Sequence, residues 1–150
     1  MSNVRPHEAN SMTNNADLSD FPVSELVGQE ATQLCVGLGQ VQLHFYRPKE
    51  ASPDQWELGA RIDIEAGYEL KSSEHETYRI EQPDFKTYAG NLTCLLGERI
   101  TRVQPLPANE MLIAFTSGAT VRLLTEVQGF ESYHVHLAGN SITFTRHSAA

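Results

Sequence analysis

Along much of the chain apolar and polar residues alternate one by one, the period of strands with one buried and one wet face. Residues 40–46, QVQLHFY, put Val41, Leu43 and Phe45 on one side and Gln42, His44 and Tyr46 on the other. Residues 61–65, RIDIE, turn Ile62 and Ile64 inward and Arg61, Asp63 and Glu65 outward. Near the end, residues 131–137 (ESYHVHL) and 141–146 (SITFTR) flank Ala138-Gly139-Asn140, and Gly-Asn at the tip suits a two-residue primed turn. That turn pairs Leu137 with Ile142, Val135 with Phe144 and Tyr133 with Arg146. It gathers His134, His136, Thr143, Thr145 and His147 on the opposite face.

The period changes in two places. FPVSELVG, from Phe21, has Pro22 at the head of a short helical turn and Gly28 at its end. In residues 83–97, Phe85, Tyr88, Leu92 and Leu95 or Leu96 recur three or four apart, with Asp84 near the start and Gly97 at the stop, which predicts a helix. Between Lys71 and Glu81 the charges read as a solvated connection around a short strand at residues 78–80. Residues 1–20 have no apolar period and cannot offset the entropy of ordering, so a flexible N-terminal arm precedes a single β-rich domain over 21–150.

Read end to end, the apolar blocks occur twice in the same order. LVG at 26–28 returns as LLG at 95–97, QVQLHF at 40–45 as EMLIAF at 110–115, ARIDIE at 60–65 as ATVRLL at 119–124, and GYE at 67–69 as GFE at 129–131. The apolar positions match in phase, and the main difference is the second connection: Thr116-Ser117-Gly118 in one copy, residues 47–59 in the other. This predicts an internal duplication with halves at about 21–82 and 83–147. The expected fold class is β-rich α+β: two similar antiparallel β-meanders with short helices, sharing one core as a sandwich or partly open barrel.

Composition narrows the function. The chain of 150 residues carries 11 Lys and Arg against 19 Asp and Glu, a net charge of −8, which disfavours a nonspecific grip on nucleic acid. The longest apolar pieces, such as MLIAF at 111–115, fall far short of the ~18 residues of a membrane span. The start lacks the apolar stretch of a secretory signal, so Cys35 and Cys94 are expected to be reduced, buried and inert in a cytoplasmic protein. Residues 48–86 hold ten acidic and five basic side chains, whereas 87–150 balance at four and four, so the acidity lies in the first half.

Candidate chemistry is sparse. His134 and His136 project the same way from one strand, with His147 as a diagonal neighbour, and three imidazoles could hold a divalent transition metal such as zinc. No carboxylate is spaced in sequence to complete or orient that site. The plainer interpretation of Tyr-His-Val-His-Leu is an amphipathic strand. No serine lies in a strand-turn-helix elbow, the carboxylate pairs Asp63 with Glu65 and Glu74 with Glu76 lie on faces expected to be wet, and Gly37 and Gly39 fit a tight strand connection better than a phosphate loop.

At LLG..I..V, MLIAF.SG.TVRL and FESYHVHLAGNSITF the chain resembles an uncharacterised family of small duplicated β-rich bacterial proteins, over roughly residues 24–146. The resemblance implies two weakly similar halves and a Tyr-Glu-Ser-Trp-like segment before the last hairpin, where this chain has Phe130-Glu131-Ser132-Tyr133. It also implies kinship with immunity proteins of bacterial toxin systems. The long 47–59 connection departs from it, and no catalytic residue follows from it.

The sequence therefore points to a noncatalytic protein-binding module without a cofactor, whose basic partner meets Glu50, Asp54, Trp56, Glu57, Asp63 and Glu65. Loops on a rigid scaffold commonly carry recognition, and the extra residues of 47–59 are not needed to close the core. The alternative is a metal-binding protein or metal-dependent enzyme using His134, His136 and His147. An open sheet edge would also allow a homodimer.

Overall fold

The computed structural model describes residues 22–125 and 132–137, together with the backbone of 140–144. The 1–20 arm, the Gly-Phe-Glu motif at 129–131 and His147 lie outside the described residues.

The alternating segments form strands. The helical turn Val23–Leu26 buries Leu26 and leads into β1 (Glu30–Val36), β2 (Val41–Pro48), β3 (Trp56–Ile64), β4 (Gly67–Lys71) and β5 (Thr77–Glu81). After a helical stretch come β6 (Ile100–Pro105), β7 (Met111–Phe115), β8 (Thr120–Leu123), β9 (Tyr133–Leu137) and β10 (Asn140–Phe144). They make two five-stranded antiparallel sheets, ordered β1-β2-β3-β9-β10 and β5-β4-β8-β7-β6. Each sheet thus takes three consecutive strands from one part of the chain and a hairpin from the other.

Period-2 burial holds where the sequence predicted it. Val41, Leu43 and Phe45 of β2, Ile62 and Ile64 of β3, and Met111, Ile113 and Phe115 of β7 are buried in one core common to both sheets. Phe45 and Phe115 stack across it with ring centroids 6.5 Å apart. At one end the sheets are tied by backbone bonds arranged in matching pairs about the Glu30–Arg99 bridge. Gly28 N–H donates to the Ile100 carbonyl and Gly97 N–H to the Ala31 carbonyl, both at 2.8 Å, while Ala31 donates to Glu98 and Ile100 to Gln29, both at 2.9 Å. Gly28 and Gly97 have φ of 91° and 88°, a left-handed conformation that glycine adopts without steric cost.

Several local expectations are corrected. Residues 83–97 do not form one α-helix: 3-10 turns Gln82–Asp84 and Ala89–Leu95 flank a single α-turn, Phe85–Tyr88. Ala89, Leu92 and Leu95 are buried at three-residue spacing, the period of a 3-10 helix, and this leaves Tyr88 and Leu96 exposed. Cys94, expected inside, lies on the exposed side of the same turn, and Cys35 on β1 is half-buried. In the last hairpin Val135 pairs with Ile142 and Tyr133 with Phe144. Each residue of β9 is therefore paired two residues earlier in β10 than Gly-Asn at the tip implied, and a two-residue shift preserves which residues share a face. Finally, residues 47–59 are not all loop: β2 runs to Pro48, β3 begins at Trp56, and Trp56 pairs with Pro48 and Glu57 with Arg47.

Candidate functional site

Two features fall outside the requirements of the core: a polar ladder on the outer face of the first sheet and a hairpin arm projecting from it. The ladder forms because β9, from late in the chain, pairs with β3, placing Asp63 opposite His134 and Arg61 opposite His136. Arg61 grips Asp63 with both arms of its fork, Nε to Oδ1 at 2.8 Å and Nη2 to Oδ2 at 3.0 Å. His136 Nε2 lies 2.8 Å from the same Oδ2 and 3.1 Å from Arg61 Nη2. Nε2 of His136 thus stands between an acceptor, Asp63 Oδ2, and a donor, Arg61 Nη2. Asp63 is thereby satisfied on both oxygens and only 4% exposed.

One residue pair along, His134 Nε2 meets Glu65 Oε2 at 3.1 Å. Gln40 Nε2 donates to that oxygen at 3.0 Å, and Gln42 Nε2 donates to Gln40 Oε1 at 2.7 Å. Beyond it, His44 Nε2 is 3.2 Å from Gln42 Oε1 and 4.0 Å from Cys35 Sγ. Burial, aided by the Arg61 guanidinium and opposed by Asp63, pulls the His44 imidazole below its ordinary pKa.

The structure brings together two of the three expected metal ligands and adds the carboxylates that sequence spacing could not reveal. His134 and His136 stack with ring centroids 6.3 Å apart, and each directs Nε2 to a different carboxylate. His147 lies outside the described residues. Among the described residues no three His, Cys, Asp or Glu side chains converge as metal ligands. As it stands, the ladder holds β9 against β3 through the contacts of His136 with Arg61 and Asp63.

The expected partner surface divides. Asp63 lies on the outer face as expected but is buried there, and Glu65, half-buried, is engaged by Gln40 and His134. Glu50, Asp54, Trp56 and Glu57 remain together on the arm made by the ends of β2 and β3 and the turn between them. Glu50 and Asp54 are exposed near its tip, Trp56 is 38% exposed beneath the Arg99 guanidinium at 5.6 Å, and Glu57 pairs with Arg47 at 3.2 Å. Leu58, unnoticed in the sequence, is 48% exposed beside Trp56. Where the arm leaves the sheet, Leu58, Gly59, Ala60, Arg61, His136 and Leu137 line a shallow cleft of about 140 Å³.

No helix among the described residues is long and apolar enough to cross a membrane. Comparison with family models, curated proteins and solved structures returns no match to the chain.

Proposed function

We propose that the protein is a noncatalytic, cytoplasmic protein-binding module of the bacterial immunity type, built from two copies of one β-unit, and that it recognises a basic partner through the arm. The observation that carries this reading is an asymmetry between the copies. After Phe115 the chain turns in three residues, with Phe115 N–H bonded to the Ala119 carbonyl at 2.9 Å. After Phe45, which pairs with Ala60, it instead extends two strands beyond the sheet, exposing Trp56, Leu58, Glu50 and Asp54. An isolated two-stranded hairpin is marginal in water, so an arm with an exposed Trp and Leu suits contact with something else.

The two-copy part has independent support. The bonds at Gly28 and Gly97 match, bulges interrupt β1 between Ala31 and Gln33 and β6 between Ile100 and Arg102, and the Thr32 and Thr101 hydroxyls donate to the His44 and Ala114 carbonyls, each at 3.2 Å. Ile64 pairs with Tyr133 as Leu123 pairs with Tyr68, which supports taking Ser132-Tyr133 as the structural counterpart of Gly67-Tyr68. On this reading each copy lends its last hairpin to the other's sheet.

The test is capture from a native lysate with the whole protein as bait, repeated at raised salt, with Trp56→Ala, and with the arm cut back. The expected result is a basic protein whose capture weakens in all three. Equal capture without the arm would overturn the reading.

A further inference from the structure

The strand β3 is paired unequally on its two sides. Toward β2 it is paired from Ile64 with Val41 to Trp56 with Pro48, with a bulge at Gly59 between Ala60, opposite Phe45, and Leu58, opposite Tyr46. Toward β9 pairing stops at Ala60, opposite Leu137. Among the described residues no strand covers residues 56–59 on that side. Alternate residues of a strand turn N–H and C=O to opposite edges, so beyond the buried bulge at Gly59 residues 56–58, a stretch of about 10 Å, turn backbone donors and acceptors to an edge that no described strand covers.

From these observations, and resting on the arm being the recognition surface, we propose that the partner binds by strand addition. An extended segment continues the track of β9 along residues 56–58, antiparallel to β3. The side-chain environment fixes its chemistry. The residue opposite Leu58 meets the cleft between Leu58 and Leu137, which takes one apolar side chain. Running antiparallel, the segment then passes Trp56 toward the exposed Glu50 and Asp54, with Lys49 the one basic side chain in the turn between the strands. Basic side chains about two to four residues after the apolar one meet this acidic tip. Main-chain bonds supply affinity, while the cleft and tip select an apolar-then-basic strand.

The probe is a capped peptide of alternating Thr and Val ending in Lys-Thr-Lys, titrated into the full chain by calorimetry and followed by amide hydrogen exchange. Saturable binding with slowed exchange within residues 56–58 is expected. N-methylation of the peptide amides that face β3 should weaken binding at least about tenfold, whereas N-methylation of the alternate amides should not. Leu58→Lys, at an exposed position that tolerates lysine in the fold, should weaken it similarly, with its melting temperature as the folding control. Equal binding of both N-methylated peptides would overturn strand addition. So would absence of binding by every form of the probe while cellular capture still depends on the arm, an outcome that leaves the arm as the recognition surface. Capture indifferent to the arm would instead remove the underlying reading.

Discussion

Asp63→Asn is the sharpest probe of the polar ladder, because it changes one oxygen to an amide at nearly constant volume. In the native protein the carboxylate accepts two bonds from Arg61 and lies 2.8 Å from His136 Nε2, with its side chain only 6% exposed. The amide keeps one acceptor and turns an NH2 toward donors, so at least one charged partner loses its bond. Breaking a fully buried ion pair costs about 3–5 kcal/mol, and a hydrogen bond to a charged group contributes about 1.5–3. The Arg61 side chain, 35% exposed, can recover part of its hydration. The net loss should therefore be about 2–3 kcal/mol, or a fall in Tm of about 4–12 °C for a domain of this size. Urea and thermal unfolding measure it, and adding Arg61→Met to Asp63→Asn should cost little more because the pair is already broken. A loss below about 1 kcal/mol, or additive single-variant costs, would refute the view that Asp63 serves the β3–β9 seam.

Gly67→Ala should destabilise by about 1–3 kcal/mol in urea melts, since its Cβ would sit 2.8 Å from the Ile80 carbonyl oxygen on the paired strand, whereas Gly90→Ala, with open space around it, should be neutral or slightly stabilising. His44 is held below its ordinary pKa in the folded protein, so the unfolded chain binds more protons. Its contribution is present above about pH 6.5 and fades as pH falls toward the folded value, and His44→Gln should flatten that slope in Tm against pH. Burial raises the phenols of Tyr68, bonded to Asn91 Oδ1 at 2.7 Å, and Tyr133, bonded to the Asn109 carbonyl at 2.6 Å. The folded state then holds their protons above pH 10, stability falls as pH rises past that point, and spectrophotometric titration should show both ionising only with unfolding.

What the sequence made legible is what depends on near neighbours. Alternation placed Val41, Leu43, Phe45, Ile62, Ile64, Met111, Ile113 and Phe115 correctly in the core, because burial on one face of a strand needs no knowledge of which strand lies beside it. Asp63 fails for the complementary reason. It lies on the side expected to be wet, but its burial depends on His136, 73 residues away, and so on a strand pairing that no local pattern states. The same pairing supplied the carboxylate partners of His134 and His136. Residues 83–97 misled because spacings of three and four fit either helix type, and the burial of Ala89 rather than Tyr88 chose between them. Trp56 and Glu57 were placed in a connection because residues 47–59 correspond to the turn Thr116-Ser117-Gly118 of the other copy, while pairing with Pro48 and Arg47 carries the strand through it.

The most direct test of the central claim replaces residues 46–59 with Thr-Ser-Gly, the turn that closes Phe115 to Ala119. If the arm is a recognition device added to a complete fold, the shortened protein should unfold cooperatively with a Tm within a few degrees of the parent and should no longer capture the basic partner. A shortened protein that fails to fold would contradict the claim by showing that the arm belongs to the scaffold. One that folds and captures the partner undiminished would contradict it by placing recognition elsewhere.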